Sequence, residues 1–219
     1  MIFFHLLWDL DYYGLSPMNN ELYKYSQICP ITFFVLVGIC LTISYQHKTV
    51  KQIILRGLLI LSVGFCITLA SLLIVPDKPV TFGVLHCIGL SIILSSLFVK
   101  NRLQSILSLS ILFIALGYVL NAIHIQNPTP VHLIVGIHQE NLWQYTVDYF
   151  PLFPWFGIIL SGMFLGKILY KGGKRQFNFP DIANYSAIRL LSKLGKHSLL
   201  VYLLHQPIIA GSILLYTFF

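Results

Sequence analysis

The chain has 219 residues, 57% of them hydrophobic and 10% charged, with a mean hydropathy of +0.80. A soluble domain is about 45–50% apolar and about 25% charged, so this composition excludes an ordinary cytosolic globule, a disordered tail and a disulfide-stapled secreted module. A net charge of +7 would suggest nucleic acid in a soluble protein; in so apolar a chain its placement matters more than its sum, and no nucleic-acid partner is expected.

Apolar runs cover residues 1–15, 28–45, 54–75, 82–99, 103–120, 152–170 and 198–218. A spanning helix takes about 20 apolar residues, so seven fit this length with short connections and leave no room for a large soluble domain. The expectation is an all-α integral membrane protein, a bundle of about seven transmembrane helices forming one domain over residues 1–219. The first run is shorter than a bilayer crossing, so its helix either begins upstream or is half-length. Cys29, Cys40, Cys66 and Cys87 fall inside apolar runs without metal-ligand spacing and read as small core residues.

The connections alternate in charge. Lys48, Lys51 and Arg56 lie between the second and third runs, Lys100 and Arg102 between the fourth and fifth. Lys167, Lys171, Lys174, Arg175, Arg189, Lys193 and Lys196 lie between the last two. These connections hold twelve of the fourteen basic residues; the opposite set holds Lys24 and Lys78 beside Asp11, Glu21, Asp77, Glu140 and Asp148. The positive-inside rule then puts the N-terminus inside and the C-terminus outside, in a multi-pass protein of the plasma membrane whose constant partner is the lipid bilayer.

Two connections are long. The outer one, 121–151, has no Lys or Arg and is rich in aromatics that continue into Phe153 and Trp155. It is either an interfacial aromatic belt or a loop folded over the bundle to stack on an apolar ring face such as a sugar's. The inner one, 171–196, is basic; it either reports topology and touches anionic lipid or attracts a phosphorylated cytosolic cofactor.

Ionisable groups inside spans are costly and generally face a cavity or a partner. His5, Trp8, Asp9 and Tyr12 recur at i, i+3, i+4 and i+7 and share one face of the first helix. A carboxylate one turn from an imidazole can stabilise its protonated form, as a general base requires; Asp9 can equally serve a neighbouring helix as hydrogen-bonding glue. His86 lies about one turn inside the fourth span, as a packing residue or a functional one. In the last span His205 and Gln206 precede Pro207, which removes a helical hydrogen bond, so the pair either repairs that break or lines a cavity. Arg56 opens the third span, to snorkel to lipid phosphate or to hold a cofactor phosphate. No HExxH, CxxC, GxSxG or Walker pattern occurs, and no metal is expected.

Four blocks, in order, carry a family resemblance. They are Met1-Ile2-Phe3-Phe4-His5-Leu6-Leu7-Trp8-Asp9-Leu10; Phe82-Gly83-Val84-Leu85-His86-Cys87-Ile88-Gly89; Asp148-Tyr149-Phe150-Pro151-Leu152-Phe153-Pro154-Trp155-Phe156-Gly157; and Leu194 through Pro207. Together they resemble the heparan-alpha-glucosaminide N-acetyltransferase catalytic-domain family, in its prokaryotic type, among the transmembrane acyltransferases. The resemblance implies transfer of an acetyl group from cytosolic acetyl-CoA, a co-substrate, to an amine or hydroxyl of a sugar or glycan on the far side. On that reading His5 is the general base, oriented by Asp9, with His86 and His205 as secondary proton-transfer or positioning groups. Arg56, Lys174 and Arg175 bind the CoA phosphates, and Trp8, Trp155 and Gln206 contact the acceptor. The rival reading is a small proton-coupled transporter using the intramembrane His and Asp residues as a relay; a non-catalytic assembly subunit is a third. Self-association is left open by the sequence.

Overall fold

The computed structural model describes residues 2–17, 28–172, 174–180, 182 and 184–218. In chain order these form α1 (Ile2–Tyr12), α2 (Ile28–His47), α3 (Val50–Ile74), α4 (Val84–Ser95), α5 (Leu103–Asn121), α6 (Pro130–Val135), α7 (Leu152–Leu169), a hairpin of β1 (Tyr170–Lys171) and β2 (Lys174–Arg175), α8 (Ser186–Lys196) and α9 (Ser198–Phe218). Among them α2, α3, α5, α7 and α9 are long and apolar enough to cross a membrane. The chain is an α-helical membrane protein.

Every apolar run of the sequence holds a helix, but two are short: α1 has 11 residues and α4 has 12. At 1.5 Å per residue α4 is about 18 Å long, against a hydrocarbon core of about 30 Å. Its run continues to residue 99, yet the Ser95 and Ser96 hydroxyls donate to the Ile92 and Ile93 carbonyls, each at 2.7 Å, and the chain leaves the helix in tight turns. The connection 171–196 also differs from the loop expected of it. It opens with the hairpin, pairing Tyr170 with Arg175 and Lys171 with Lys174, and closes with α8. Its charge hides the helical spacing of Leu190, Leu191 and Leu194 from a hydropathy reading.

The chain forms two compact units, residues 31–177 and residues 1–30 with 178–219. In the larger unit α7 is the most enclosed span, with 44% of its membrane-length window buried against 17% for α3 and for α5. α5 packs along α7, and α3 along α4. α2 turns Phe34, Gly38, Leu41 and Thr42 inward on one face. A side chain on Gly38 would collide with the Ile159 carbonyl oxygen, and one on Gly162 with that of Val35. The Thr42 hydroxyl donates to the Met163 carbonyl at 3.2 Å. This is the small-residue contact of membrane helices, where close backbones gain dispersion that the hydrophobic effect cannot supply in lipid. The core it builds includes Phe34, Ile106, Phe156, Ile159, Leu160 and Met163.

Two sets of hydrogen bonds define the ends of this unit. At one end the Gln46 amide donates to the Tyr170 carbonyl (3.2 Å), and the Lys167 ammonium donates to the carbonyls of Val99 and Asn101 (2.8 Å each). The ends of α2 and α7, the start of α3 and the α4–α5 turn therefore meet there. They bring Lys48, Lys51, Lys100, Arg102, Lys171, Lys174 and Arg175 to one side. At the other end residues 80–84 are laced to 146–150, through Thr81 to Thr146, Val84 to Asp148 and Phe150 to Phe82.

Cys87 is buried, as a core residue should be, but Cys40 and Cys66 are exposed on outward faces of α2 and α3; all four thiols are free. Those two positions satisfy the apolar run without facing the core, because a lipid-facing helix is apolar on both sides.

Candidate active site

His86 is 1% exposed and lies in the first turn of α4. Its Nδ1 accepts from the Gly83 N–H at 3.2 Å, one of the orphan donors at the helix N-terminus. The ring proton therefore sits on Nε2, which donates to the Thr68 hydroxyl at 3.4 Å; that hydroxyl donates in turn to the Val80 carbonyl at 2.8 Å. Phe65 meets the ring edge-on with centroids 4.9 Å apart, and Phe82 lies 5.4 Å away. Both imidazole nitrogens are thus occupied in capping α4 and joining it to α3.

Beside it stands Asp148, one of the outer charges and the first residue of the third sequence block. Asp148 Oδ2 accepts from the Val84 N–H at 3.2 Å, capping the same helix. A side chain on Gly83 would strike that carboxylate, which explains a glycine there. Burial pushes the Asp148 carboxyl up to about 6, and the Val84 N–H only partly offsets this. Because the folded value lies above the unfolded one of about 3.8, its favourable contribution is complete at low pH and is lost as pH rises toward and through 6. Thermal melts of purified protein between roughly pH 4 and pH 7 are expected to show wild-type stability falling relative to Asp148→Asn. Parallel curves would contradict this assignment.

Trp155, on the second turn of α7, stacks on Phe34 (4.9 Å, 30°) and meets Phe150 at 5.0 Å. It belongs to an aromatic cluster between α2 and α7, half-buried rather than presented in full. Phe153 (φ −107°, ψ 131°) interrupts the first turn just before it, at the cis Phe153–Pro154 bond.

The smaller unit holds His5, Asp9, His205 and Gln206. α1 lies against α9. Asp9, 2% exposed, accepts from the Gln206 amide nitrogen on both oxygens, at 2.9 Å to Oδ1 and 3.0 Å to Oδ2. The neighbouring-helix alternative for Asp9 thus describes what its oxygens do. One turn earlier on α1, the His5 ring lies 4.9 Å from that of His205, inclined by 60°. His205 is 7% exposed and its Nδ1 is 2.6 Å from the Tyr202 carbonyl. A carbonyl only accepts, so Nδ1 carries the proton, and in the neutral ring Nε2 presents its lone pair. That Nε2 is buried and has no hydrogen-bonding partner among the described residues; neither has Gln206 Oε1. The spacing that put Trp8 beside His5 and Asp9 also stacks it on Tyr12, with centroids 5.2 Å apart.

His5, Asp9, His205 and Gln206 are therefore brought together, whereas His86 and Trp155 belong to the other unit. Arg56 is exposed on the second turn of α3, and Lys174 and Arg175 are exposed on β2. Among the described residues no three His, Cys, Asp or Glu side chains gather as metal ligands.

A family model described as heparan-alpha-glucosaminide N-acetyltransferase, catalytic, matches residues 1–207. The chain belongs to that family. Comparisons with curated proteins and with solved structures return no match. The family match spans all four sequence blocks and both compact units, and with it comes a transmembrane acyltransferase type of activity. Two features of this family member are not legible in its sequence pattern. Asp148 lies outside the apolar runs, so no local pattern marks it as a helix cap. The Asp9–Gln206 pairing links positions 197 apart, a distance over which spacing rules carry no information.

Proposed function

We propose that the chain transfers an acetyl or similar acyl group from acyl-CoA, bound on the basic side, to a hydroxyl or amine of a sugar or glycan on the opposite side. The observation that carries this is His205: a buried imidazole with its tautomer fixed by the Tyr202 carbonyl and its Nε2 lone pair unpartnered. That is the disposition of a general base awaiting a proton donor. The acceptor O–H or N–H gives its proton to the His5–His205 pair as its oxygen or nitrogen attacks the thioester carbonyl. The C–S bond breaks, and the departing CoA sulfur takes the proton back. Asp9, held by Gln206, supplies a negative charge that favours the imidazolium formed in between. His86 positions α4 through its capping bonds.

Arg56, Lys174 and Arg175 are the candidates for the CoA phosphates, since they lie with the basic cluster at one end of the larger unit. That end is the cytoplasmic one by the positive-inside rule, which puts the N-terminus inside. Trp8, Trp155 and Gln206 are the acceptor-side candidates. The plasma membrane is the membrane we assign.

The test is equilibrium binding of labelled acetyl-CoA to the purified protein, followed by transfer to a panel of amino sugars and neutral glycans. Saturable binding and label on at least one acceptor are expected. Proton-coupled movement of a solute without any CoA binding would overturn the proposal in favour of transport.

A further inference from the structure

Helix α8 divides its polarity lengthwise. At 100° per residue Ala187, Leu190, Leu191 and Leu194 fall within one arc, and Arg189, Ser192, Lys193 and Lys196 within the opposite one. The helix contains no acidic residue. Its leucines have no covering among the described residues: Leu190 is 60% exposed, Leu191 63% and Leu194 48%. The basic side chains line one recess with Ser192 and Ile188, so the cationic face is continuous. Eleven residues reach about 16 Å, too short to cross a bilayer.

Chain connectivity says where such a helix must sit. A single residue, His197, separates α8 from α9, which is long and apolar enough to span the membrane. α8 is therefore leashed to the mouth of a crossing, within reach of headgroups whatever else it does. Tyr185, 66% exposed, immediately precedes it, a residue type that settles at the membrane–water boundary.

We propose that α8 lies in the plane of the bilayer surface, with its leucine arc among the acyl chains and Arg189, Lys193 and Lys196 on the phosphates of anionic lipid. A soluble anion such as a nucleotide phosphate would meet the basic face alone and leave three leucines in water. A lipid surface meets both faces at once, which is the arrangement of interfacial amphipathic helices. The charges add electrostatic attraction that falls with salt and with the anionic fraction of the leaflet. This assignment is independent of the acyl-transfer chemistry.

The test uses the full chain reconstituted into vesicles, with a photoreactive benzoylphenylalanine placed once at Leu191 and once at Ser192. In vesicles of equal parts phosphatidylcholine and phosphatidylglycerol, illumination is expected to yield lipid adducts severalfold more abundant from position 191 than from 192. The share of phosphatidylglycerol among those adducts is expected to drop when Arg189→Gln, Lys193→Gln and Lys196→Gln are combined. Adducts from position 191 to a second copy of the chain or to another segment of the same chain would overturn the proposal. So would equal lipid labelling at the two positions, or an adduct composition indifferent to the three charges.

Discussion

Replacing His205 by alanine is expected to lower the rate of acyl transfer by about 10²–10⁴-fold, the range of a positioned acid–base group. Binding of acyl-CoA is expected to stay close to wild type. The split follows from geometry. His205 Nδ1 is committed to the Tyr202 carbonyl 2.6 Å away, so on the proposed mechanism Nε2 takes the proton, and it has no hydrogen-bonding partner among the described residues. Removing the ring removes a proton acceptor and leaves the Asp9–Gln206 hydrogen bonds intact. Single-turnover kinetics beside equilibrium CoA binding check this. His86→Ala makes the contrast: both of its ring nitrogens are spent on capping α4 and joining it to Thr68, so its loss is expected to lower melting temperature more than intrinsic rate. Equal kinetic effects from the two substitutions would contradict the division of labour between them.

The largest structural effect is expected at Gly38. A Cβ there would run into the Ile159 carbonyl oxygen and crowd the Met163 backbone N, so the obstacle is backbone rather than a side chain that can turn aside. Overpacking a core generally costs about 1–3 kcal/mol. Gly38→Leu is expected to exceed that range, because α2 and α7 must separate along their length to admit it, and the protein is expected to lose its folded, monodisperse form in detergent. Gly211→Ala, at a helical position with nothing within 4 Å of the added carbon, is the matched control and is expected to melt within a degree or two of wild type. Size-exclusion profiles and thermal melts of the pair measure the difference. A normal melt for Gly38→Leu would remove the close α2–α7 contact from the account.

Much of this architecture is legible in the sequence because a membrane imposes long, apolar, self-satisfied helices. The runs at 28–45, 103–120 and 152–170 coincide closely with α2, α5 and α7. Distribution of charge is legible for the same reason, and the hydrogen bonds of Gln46 and Lys167 gather much of the basic surplus at one end of the larger unit. The helical spacing that groups His5 with Asp9 is likewise a local property. What spacing cannot supply is the partner on another helix. Asp9 answers to Gln206, and His5 to the ring of His205, across almost the whole chain. His86 shows the reverse limit: an imidazole in an apolar helix looks reactive until the Gly83 N–H and Thr68 hydroxyl that occupy its nitrogens are seen. α8 is hidden by hydropathy itself, since its three basic residues bring its average far below that of a span.

Transfer across a sealed bilayer tests the central claim most directly. Vesicles holding the reconstituted protein, with an acceptor sugar trapped inside and labelled acetyl-CoA supplied only outside, separate group transfer from simple binding. With the basic face of the protein outward, label is expected on the trapped sugar, and it is expected to disappear in vesicles carrying His205→Ala. Label that never reaches the trapped acceptor under conditions where acetyl-CoA binds, or that reaches it equally well without His205, would contradict the account.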